Sequence, residues 1–304
     1  MSHKKMQPQW LALLFLIVLS LLLVVVSLQG TASQKRVEVP DATVKAVAPS
    51  LPEPERDALL NMEPGLQHPE SGLALIMDDV GYDLAALRRI LALPMPVAIS
   101  IIPDAPFAHD SAEMAHAMGQ LVMLHLPMEP TSEKYRNRMT PYFLNEKMDR
   151  SELRQTFLRG LTAVPYVQGV NNHMGSHLTE LIEPMRWVME VCREQGLFFV
   201  DSVTSNRSVA AEAAELAGVA WASRRIFLDH DKSPEAMQRA WQKAERCLEQ
   251  EKQCIVIAHP YRSTITFLEE QLGTELMESA SSVNQLLHES KPVHQAKIKP
   301  EVLL

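Results

Sequence analysis

Short apolar runs alternate with longer amphipathic stretches from residue 71 to about residue 290. Each run is apolar at successive positions, which is typical of strands in a sheet that is covered on both faces. The pattern predicts strands at residues 73–77, 97–102, 121–126, 169–171, 197–201, 219–222, 226–228 and 254–258. We therefore expect an α/β fold built from right-handed strand–helix–strand units.

The stretches between these runs carry recognisable helix ends. Asp149 and Glu152 have the spacing of a capping box. Gly196 follows a helical pattern that begins near Thr179, and Pro234 stands where a further helix would begin. Seven or eight strands fit either an open sheet with helices on both faces or a closed barrel with outer helices. Periodicity alone does not choose between the two.

A long apolar run at residues 10–28 precedes this region. Ser20 and Ser27 are its only polar positions, and as an α-helix it would span about 28 Å, close to the hydrocarbon thickness of roughly 30 Å. We expect an uncleaved membrane anchor. The alternative is a signal peptide that is cleaved after the small residues at 30–32. Both hypotheses export the rest of the chain.

Residues 33–70 contain six prolines and no apolar period, which is typical of an extended spacer. The expected organisation is a membrane anchor or signal segment at 1–32 and a proline-rich linker at 33–70. A folded domain at 71–290 and a C-terminal tail at 291–304 follow. The linker would hold the folded domain away from a membrane surface.

Composition narrows the class of protein. The chain has 304 residues, of which 46% are hydrophobic, so disorder throughout is excluded. It has 29 Lys and Arg against 37 Asp and Glu, a formal net charge of −8, which disfavours a nucleic-acid partner. The three cysteines, Cys192, Cys247 and Cys254, are too few to stabilise a domain of this size through disulfides. They do not indicate the cellular compartment of the protein.

Polar residues follow five of the predicted strands at the point where each strand ends. They are Asp78 with Asp79, His125, His173, Asp201 and His259. The carboxyl ends of parallel strands meet at one rim in both candidate architectures, and that rim is where such folds place their chemistry. We therefore expect these side chains to share a site.

Asp78 and Asp79 are adjacent at the end of the first predicted strand, so we expect their side chains to point to opposite sides. One carboxylate could then bind a cation while the other acts as a free base. Two carboxylates at the end of a buried strand are costly without a cation or hydrogen-bond donors. This pair is the strongest signal of function in the sequence.

The histidines receive different roles. His125 and His173 are predicted metal ligands because they share the rim with the carboxylates. Glu129 lies four residues after His125 and is either a metal or substrate contact or a solvated loop acid. His177 fits a surface position better. His259 precedes a proline that stiffens the backbone, which suits proton transfer near neutral pH.

The sequence does not decide the roles of two further carboxylates. Asp201 ends a predicted strand, and Asp229 lies in a charged stretch with Arg224 and Arg225. These residues could orient the catalytic groups or contact substrate. Structural ion pairs would explain them equally well.

Several segments of the folded region occur together in a known family. They are Leu-Ile-Met-Asp78-Asp79-Val-Gly81, His125-Leu-Pro-Met, Gly169-Val-Asn-Asn-His173-Met-Gly-Ser176, Phe-Val-Asp201-Ser-Val-Thr, Phe-Leu-Asp229 and Ala-His259-Pro. With these segments, residues 72–287 resemble the divergent polysaccharide deacetylase family, which is related to carbohydrate esterases with a NodB-type fold. The resemblance implies a distorted (β/α) barrel of about seven strands.

The same resemblance implies residue roles. By similarity, Asp78 is the base, Asp79 binds the metal and His259 is the acid. The broader deacetylases bind zinc with two histidines four residues apart, whereas this chain has His125-x-x-x-Glu129. The third ligand is therefore Glu129, His173 or a water, and we favour His173. The Arg-x-Pro motif that flanks the base in the broader group is not evident.

These observations lead to two hypotheses of function. The first is a hydrolase with a divalent metal, zinc by preference, that removes N-acetyl or, less favoured, O-acetyl groups from a cell-envelope polysaccharide. The second is a catalytically inactive glycan-binding or envelope-organising protein on the same scaffold. In both, the partners are a polysaccharide and a membrane contacted through residues 10–28. The location is the periplasm or another extracytoplasmic space, at the inner membrane or released from it.

Overall fold

The computed structural model describes residues 72–251, 253–271 and 273–290. The predicted anchor or signal segment at 1–32, the linker at 33–70 and the tail at 291–304 lie outside the described residues and stay predictions. Among the helices of the described ranges, none combines the length and the apolar character that a membrane span requires.

Strands and helices alternate along the described chain. The strands are β1 (Gly72–Val80), β2 (Val97–Ile101), β3 (Val122–Met128), β4 (Val167–Met174), β5 (Phe198–Asp201), β6 (Trp221–Ser223), β7 (Ile226–Phe227) and β8 (Gln253–Ala258). The α-helices are α1 (Leu84–Leu91), α2 (Ala108–Ala117), α3 (Glu133–Arg136), α4 (Arg150–Ala163), α5 (Ile182–Gln195), α6 (Ala210–Ala217), α7 (Pro234–Glu251), α8 (Arg262–Glu270) and α9 (Glu275–Glu278). Each predicted strand has an observed counterpart.

The predicted helix ends are also present. Asp149 and Glu152 form the capping box of α4, each side chain accepting a hydrogen bond from the other residue's backbone amide. Gly196 ends α5 in the left-handed conformation, at φ 68°. The predicted start at Thr179 falls instead in a 3₁₀ turn, Leu178–Glu180, that precedes α5.

The eight strands form one parallel sheet in the order β6-β5-β4-β3-β2-β1-β8-β7. β6 and β7 are its two edges, yet only Arg224 and Arg225 separate them in the sequence. Three peptide steps span at most about 11 Å. The sheet therefore curves until its edges come close, giving a half-barrel that is open between β6 and β7.

Alternation along the strands divides the core into two layers. On β1, Leu73, Leu75 and Met77 pack against the outer helices, whereas Ala74 and Ile76 belong to a smaller apolar cluster inside the half-barrel. Because side chains alternate between faces, the inward positions continue along each strand towards its carboxyl end. There the interior changes from apolar to polar.

The described C-terminal segment closes the other end of the half-barrel. Val283 and Leu286 pack into the inner apolar cluster. The backbone of Ser281 donates to the carbonyl of Leu73, at the amino end of β1. Trp221 and His288 exchange two backbone hydrogen bonds, which pairs this segment with the free edge of β6. The carboxyl ends of the strands are left as the accessible rim.

Two of the three cysteines are paired. A disulfide joins Cys247 on α7 to Cys254 on β8, with a Cα–Cα distance of 5.9 Å. Cys192 is buried on α5, and burial raises the pKa of its thiol. The Cys192 thiol is therefore protonated at neutral pH and packs as an apolar side chain.

Candidate active site

A cavity of about 480 Å³ opens at the carboxyl ends of the strands. Its lining comprises Asp78, Asp79, His125, Asn172, His173, Met174, Ser202, Val203, Thr204, Arg224, Phe227, His230, Ile257 and His259. Four of the five strand ends singled out in the sequence contribute to it. Asp201, at the end of β5, does not line it.

Asp78 and Asp79 both face this cavity, so the expectation that they point to opposite sides is wrong. Nε2 of His125 lies 3.7 Å from Oδ2 of Asp78 and 3.2 Å from Oδ1 of Asp79. The cause is local backbone geometry. The pairing of β1 with β2 shifts register between Met77 and Val80, and Asp79 adopts a left-handed φ of 54°.

Asp79, His125 and His173 converge on a common point. Oδ1 of Asp79 lies 3.2 Å from Nε2 of His125 and 3.0 Å from Nδ1 of His173. All three atoms lie within 4.8 Å of one another. Although this oxygen is buried, it has no hydrogen-bond partner among the described residues. One carboxylate oxygen and two imidazole nitrogens are a donor set that fits a divalent transition metal such as zinc.

Asn171 sets the orientation of His125. Its Oδ1 accepts a hydrogen bond from Ser100 Oγ and lies 3.0 Å from Nδ1 of His125, while its Nδ2 donates to Asp78. An amide oxygen only accepts, so Nδ1 of His125 carries a proton, and in the neutral ring, the form that can bind a metal, Nε2 presents a lone pair. That lone pair faces Oδ1 of Asp79, another acceptor. A positive charge between the two atoms relieves their repulsion.

The adjacent carboxyl groups have pKa values shifted in opposite directions. Burial raises the pKa of Asp78, and the charges that His125 and His259 carry when protonated, together with the hydrogen bond from Asn171, offset only part of that effect. Burial acts in the same direction on Asp79, but His125 and His173 outweigh it and hold the pKa of Asp79 well below its usual range. One carboxyl is thus poised to exchange a proton, and the other stays ionised.

His259 is held by a buried carboxylate. Asp229 accepts hydrogen bonds from the backbone amide of His259 at 2.7 Å and from the hydroxyl of Thr264 at 2.8 Å, and it lies 2.9 Å from Nδ1 of the His259 ring. Burial lowers the pKa of His259, but the bond with Asp229 and the negative charges of Asp229, Asp79 and Asp78 together outweigh it, so the net pKa is raised. Nε2 of His259 points towards Asp79, 3.9 Å from its Oδ2.

The remaining candidates lie elsewhere. β3 ends at Met128, and Glu129 lies in the loop that follows, where it accepts a hydrogen bond from the amide of Glu146 at 2.9 Å. Glu129, Glu146 and His177 form a second carboxylate–histidine cluster. Asp201 accepts a 2.8 Å hydrogen bond from the amide of Val203, two residues further on.

The positively charged side chain of Arg224 lines the cavity where the half-barrel is open between β6 and β7. Its Nε donates to the carbonyl of Ser202 at 2.7 Å, and its Nη2 donates to the carbonyl of Val203 at 2.8 Å. The guanidinium also lies over the ring of Phe227, 5.1 Å from its centroid. Arg224 therefore ties the loop after β5 to the edge strand β7.

Sequence reasoning gave no role to Asn171, Ser100 or Thr264, which orient the histidines. Asn171 stood in a polar segment between a short strand and His173, but nothing local indicated that its amide would reach Ser100 on β2 and Asp78 on β1. The available signal was its place at a buried position of a strand, where an amide needs partners.

The fold and this site agree with a known family. Residues 75–283 match the divergent polysaccharide deacetylase family, and the chain belongs to it. The resemblance inferred from the sequence segments is thereby confirmed. The expected barrel is confirmed in its coarser form, as a parallel α/β half-barrel of eight strands.

Two relatives of the chain, both named as uncharacterized proteins, share about a third of its residues over the matched length. It is 32% identical over 218 residues to the uncharacterized protein YibQ of Escherichia coli, covering 70% of this chain and 67% of that protein. It is 33% identical over 200 residues to an uncharacterized protein of Haemophilus influenzae, covering 66% of this chain and 70% of that protein.

A solved structure shares the fold. The uncharacterized protein ATU2773 from Agrobacterium tumefaciens superposes with a TM-score of 0.63 at 18% identity, covering 66% of this chain and 82% of that one. At this level of identity the likeness concerns the fold alone. The activity has to be argued from the site.

Proposed function

We propose that this protein is a metal-dependent hydrolase that removes acetyl groups, N-acetyl by preference, from a cell-envelope polysaccharide. The observation that carries the proposal is the convergence of Oδ1 of Asp79, Nε2 of His125 and Nδ1 of His173 at the mouth of a cavity. Family membership supports a polysaccharide as the substrate.

The three ligand residues would hold a divalent cation, with zinc the best match to one carboxylate and two imidazoles. When bound, such an ion supplies a nucleophilic water at neutral pH and polarises the acetyl carbonyl. Three protein ligands leave positions open for water and substrate, which is typical of catalytic rather than structural zinc sites.

Asp78 is the proposed general base. Asn171 holds its Oδ1 at 2.8 Å, while its Oδ2 faces the ligand cluster and is the oxygen that receives the proton of the attacking water. Burial raises the pKa of Asp78, which brings its basicity closer to what a general base needs at neutral pH. The pKa shift and the location support the same role.

His259 is the proposed general acid. Its Nδ1 is engaged by Asp229, so Nε2 is the ring atom that can give a proton to the departing amine of the sugar. The net rise in the pKa of His259 keeps this proton available near neutral pH. Asp229 acts as a positioning residue, because it contacts His259 rather than the cavity.

The proposed location is extracytoplasmic, with the domain tethered by residues 10–28 or released after cleavage. The apolar run in the sequence supports export. The pairing of Cys247 with Cys254 supports it as well, because disulfides persist mainly outside the reducing cytosol. The proposed domain organisation remains 1–32, 33–70, 71–290 and 291–304.

The test is acetate release by the full-length protein from N-acetylated and O-acetylated glycans. The proposal expects release with zinc present, loss of release with a chelator and recovery on adding zinc back. No acetate from any acetylated glycan, with metal bound, would reject it. Glycan binding that persists after chelation and in Asp78→Ala, again without acetate release, would select the inactive glycan-binding alternative.

A further inference from the structure

The guanidinium of Arg224 lines the active-site cavity without an ion-pair partner among the described residues. Two of its five N–H donors are in use, one on Nε to the carbonyl of Ser202 and one on Nη2 to the carbonyl of Val203. These two bonds occupy a single edge of the planar group. Three N–H donors, on Nη1 and Nη2, are left for a ligand.

Arg224 is half-buried, which makes a charge without a paired carboxylate costly. Burial lowers the pKa of Arg224, and the negative charges of Asp201 and Asp78 offset only part of that effect. The guanidinium is nevertheless protonated at neutral pH, because the ordinary pKa of arginine lies far above it. This arrangement favours an anion that comes from outside the chain.

The loop after β5 holds the guanidinium in place. Val203 adopts a left-handed φ of 49°, which is an outlier for a β-branched residue. Asp201 accepts a hydrogen bond from the amide of Val203, and Asn172 accepts one from the amide of Ser202, both at 2.8 Å. Strained backbone persists where its surroundings enforce it, and it is most common at functional sites. Here it brings two successive carbonyl groups to one guanidinium.

Phe227 connects Arg224 to the proposed acid. The guanidinium lies 5.1 Å from the centre of the Phe227 ring, and the ring of His259 lies 5.3 Å from the same centre. The ring of His230, which also lines the cavity, lies 5.6 Å from it. A cation and an acid that contact one phenyl ring are close enough to contact one sugar. The remaining donors of Arg224 are thus within reach of the sugar that reacts.

We infer that Arg224 binds an oxyanion carried by the reacting sugar, so that the substrate is an acidic N-acetylated glycan. The inference rests on the proposed function, because it takes the ligand to be a glycan. Carboxylates and phosphate esters both match the planar donors of a guanidinium through two parallel hydrogen bonds. An N-acetylated uronic acid is the simplest sugar that carries both the acetyl group and the anion.

The first test measures binding separately from catalysis, with four sugars that differ only at C6. They are N-acetylglucosamine, the corresponding uronic acid, the carboxamide of that acid, and N-acetylglucosamine 6-phosphate. Each is titrated into full-length Asp78→Asn and into chelator-treated wild type, in which no metal competes for the anion. We expect an anionic sugar to bind about 10- to 100-fold more tightly than the neutral ones. Whether the acid, the phosphate or both show this preference identifies the oxyanion.

The variants separate charge recognition from a structural role. In the Asp78→Asn background, Arg224→Gln should abolish the preference for the anion. Arg224→Lys should keep part of it, because the charge remains while the planar donors are lost. Arg225→Gln is the matched control, since it removes the same charge from the next residue, which lines a different cavity. This control should keep the full preference.

Four results would overturn the inference. They are equal affinity for all four sugars, no binding of any of them, a preference that survives in Arg224→Gln, and an equal loss of preference in Arg225→Gln. A parallel loss of neutral and anionic sugars in Arg224→Gln, with their ratio unchanged, would also contradict it. That last result is expected if Arg224 only ties the loop after β5 to β7.

The second test is acetate release by wild type and by Arg224→Gln with zinc present. We expect the ratio of kcat/KM for acidic over neutral N-acetylated glycans to fall in Arg224→Gln. If the binding preference depends on Arg224 but no glycan releases acetate, the proposed function fails while the anion site stands. If acetate is released equally from acidic and neutral glycans, with the same ratio in Arg224→Gln, the anion site fails while the proposed function stands.

Discussion

Two clusters of carboxylates and histidines lie in the described part of the chain, and they differ in how their atoms are bonded. In the first cluster (Asp79, His125 and His173) the shared Oδ1 of Asp79 is buried and lacks a hydrogen-bond partner within the described ranges. In the second cluster (Glu129, Glu146 and His177) the carboxylates already have hydrogen-bond partners within the cluster.

The surroundings differ as well. The side chain of His125 is 3% exposed, whereas that of Glu146 in the second cluster is 41% exposed. Glu129 accepts from the amide of Glu146, and Oε2 of Glu146 lies 2.8 Å from Nε2 of His177. Similar residue types therefore form a partly exposed ion pair in the second cluster, whereas in the first cluster they leave a buried carboxylate oxygen that a cation could satisfy.

The largest effect is expected from replacing Asp78, the proposed base beside the first cluster. Asp78→Asn should lower kcat about 10²- to 10⁴-fold, because the proton acceptor is lost while the shape and the bond to Asn171 are kept. Bound metal, measured by mass spectrometry, should stay at the wild-type level since Asp79 is unchanged. Metal loss in Asp78→Asn would instead show that Asp78 is a metal ligand, which would contradict the separate roles assigned to Asp78 as base and Asp79 as ligand.

A smaller effect is expected from the residue that orients His125. Asn171→Ala removes the acceptor at Nδ1, so the ring can turn and present the wrong nitrogen, and zinc affinity should fall about 10- to 100-fold. Competition with a chromophoric chelator measures this change. Wild-type affinity in Asn171→Ala would show that the orientation of His125 does not depend on this contact.

The smallest effect is expected in the second cluster. His177→Ala removes a partly exposed ion pair with Glu146, and such pairs contribute little to stability. Metal content and acetate release should match those of wild type, with a melting temperature close to it. A loss of bound metal in His177→Ala would mean that the second cluster, too, holds an ion.

Much of the fold was accessible from the sequence, because strands buried on both faces leave uninterrupted apolar runs. The rule that parallel strands bring their carboxyl ends together also brought Asp79, His125 and His173 to one place. The direction of Asp78 and Asp79 was not accessible, since it depends on a bulge and on a left-handed φ at Asp79. Simple alternation along β1 does not encode either feature.

Long-range contacts were the other limit. The role of Asn171 depends on bonds to Ser100 on β2 and Asp78 on β1, which no local pattern encodes. The choice between Glu129 and His173 depended on where β3 ends, and strand ends are the least predictable part of an element. Asp229 likewise became interpretable only when β8 placed His259 beside it.

The central claim is that one divalent cation binds Asp79, His125 and His173. Anomalous scattering from crystals grown with zinc, recorded on both sides of the zinc absorption edge, tests it directly. The account predicts a peak in contact with Oδ1 of Asp79, Nε2 of His125 and Nδ1 of His173. A peak confined to the second cluster, or none at the first with zinc in excess, would contradict it.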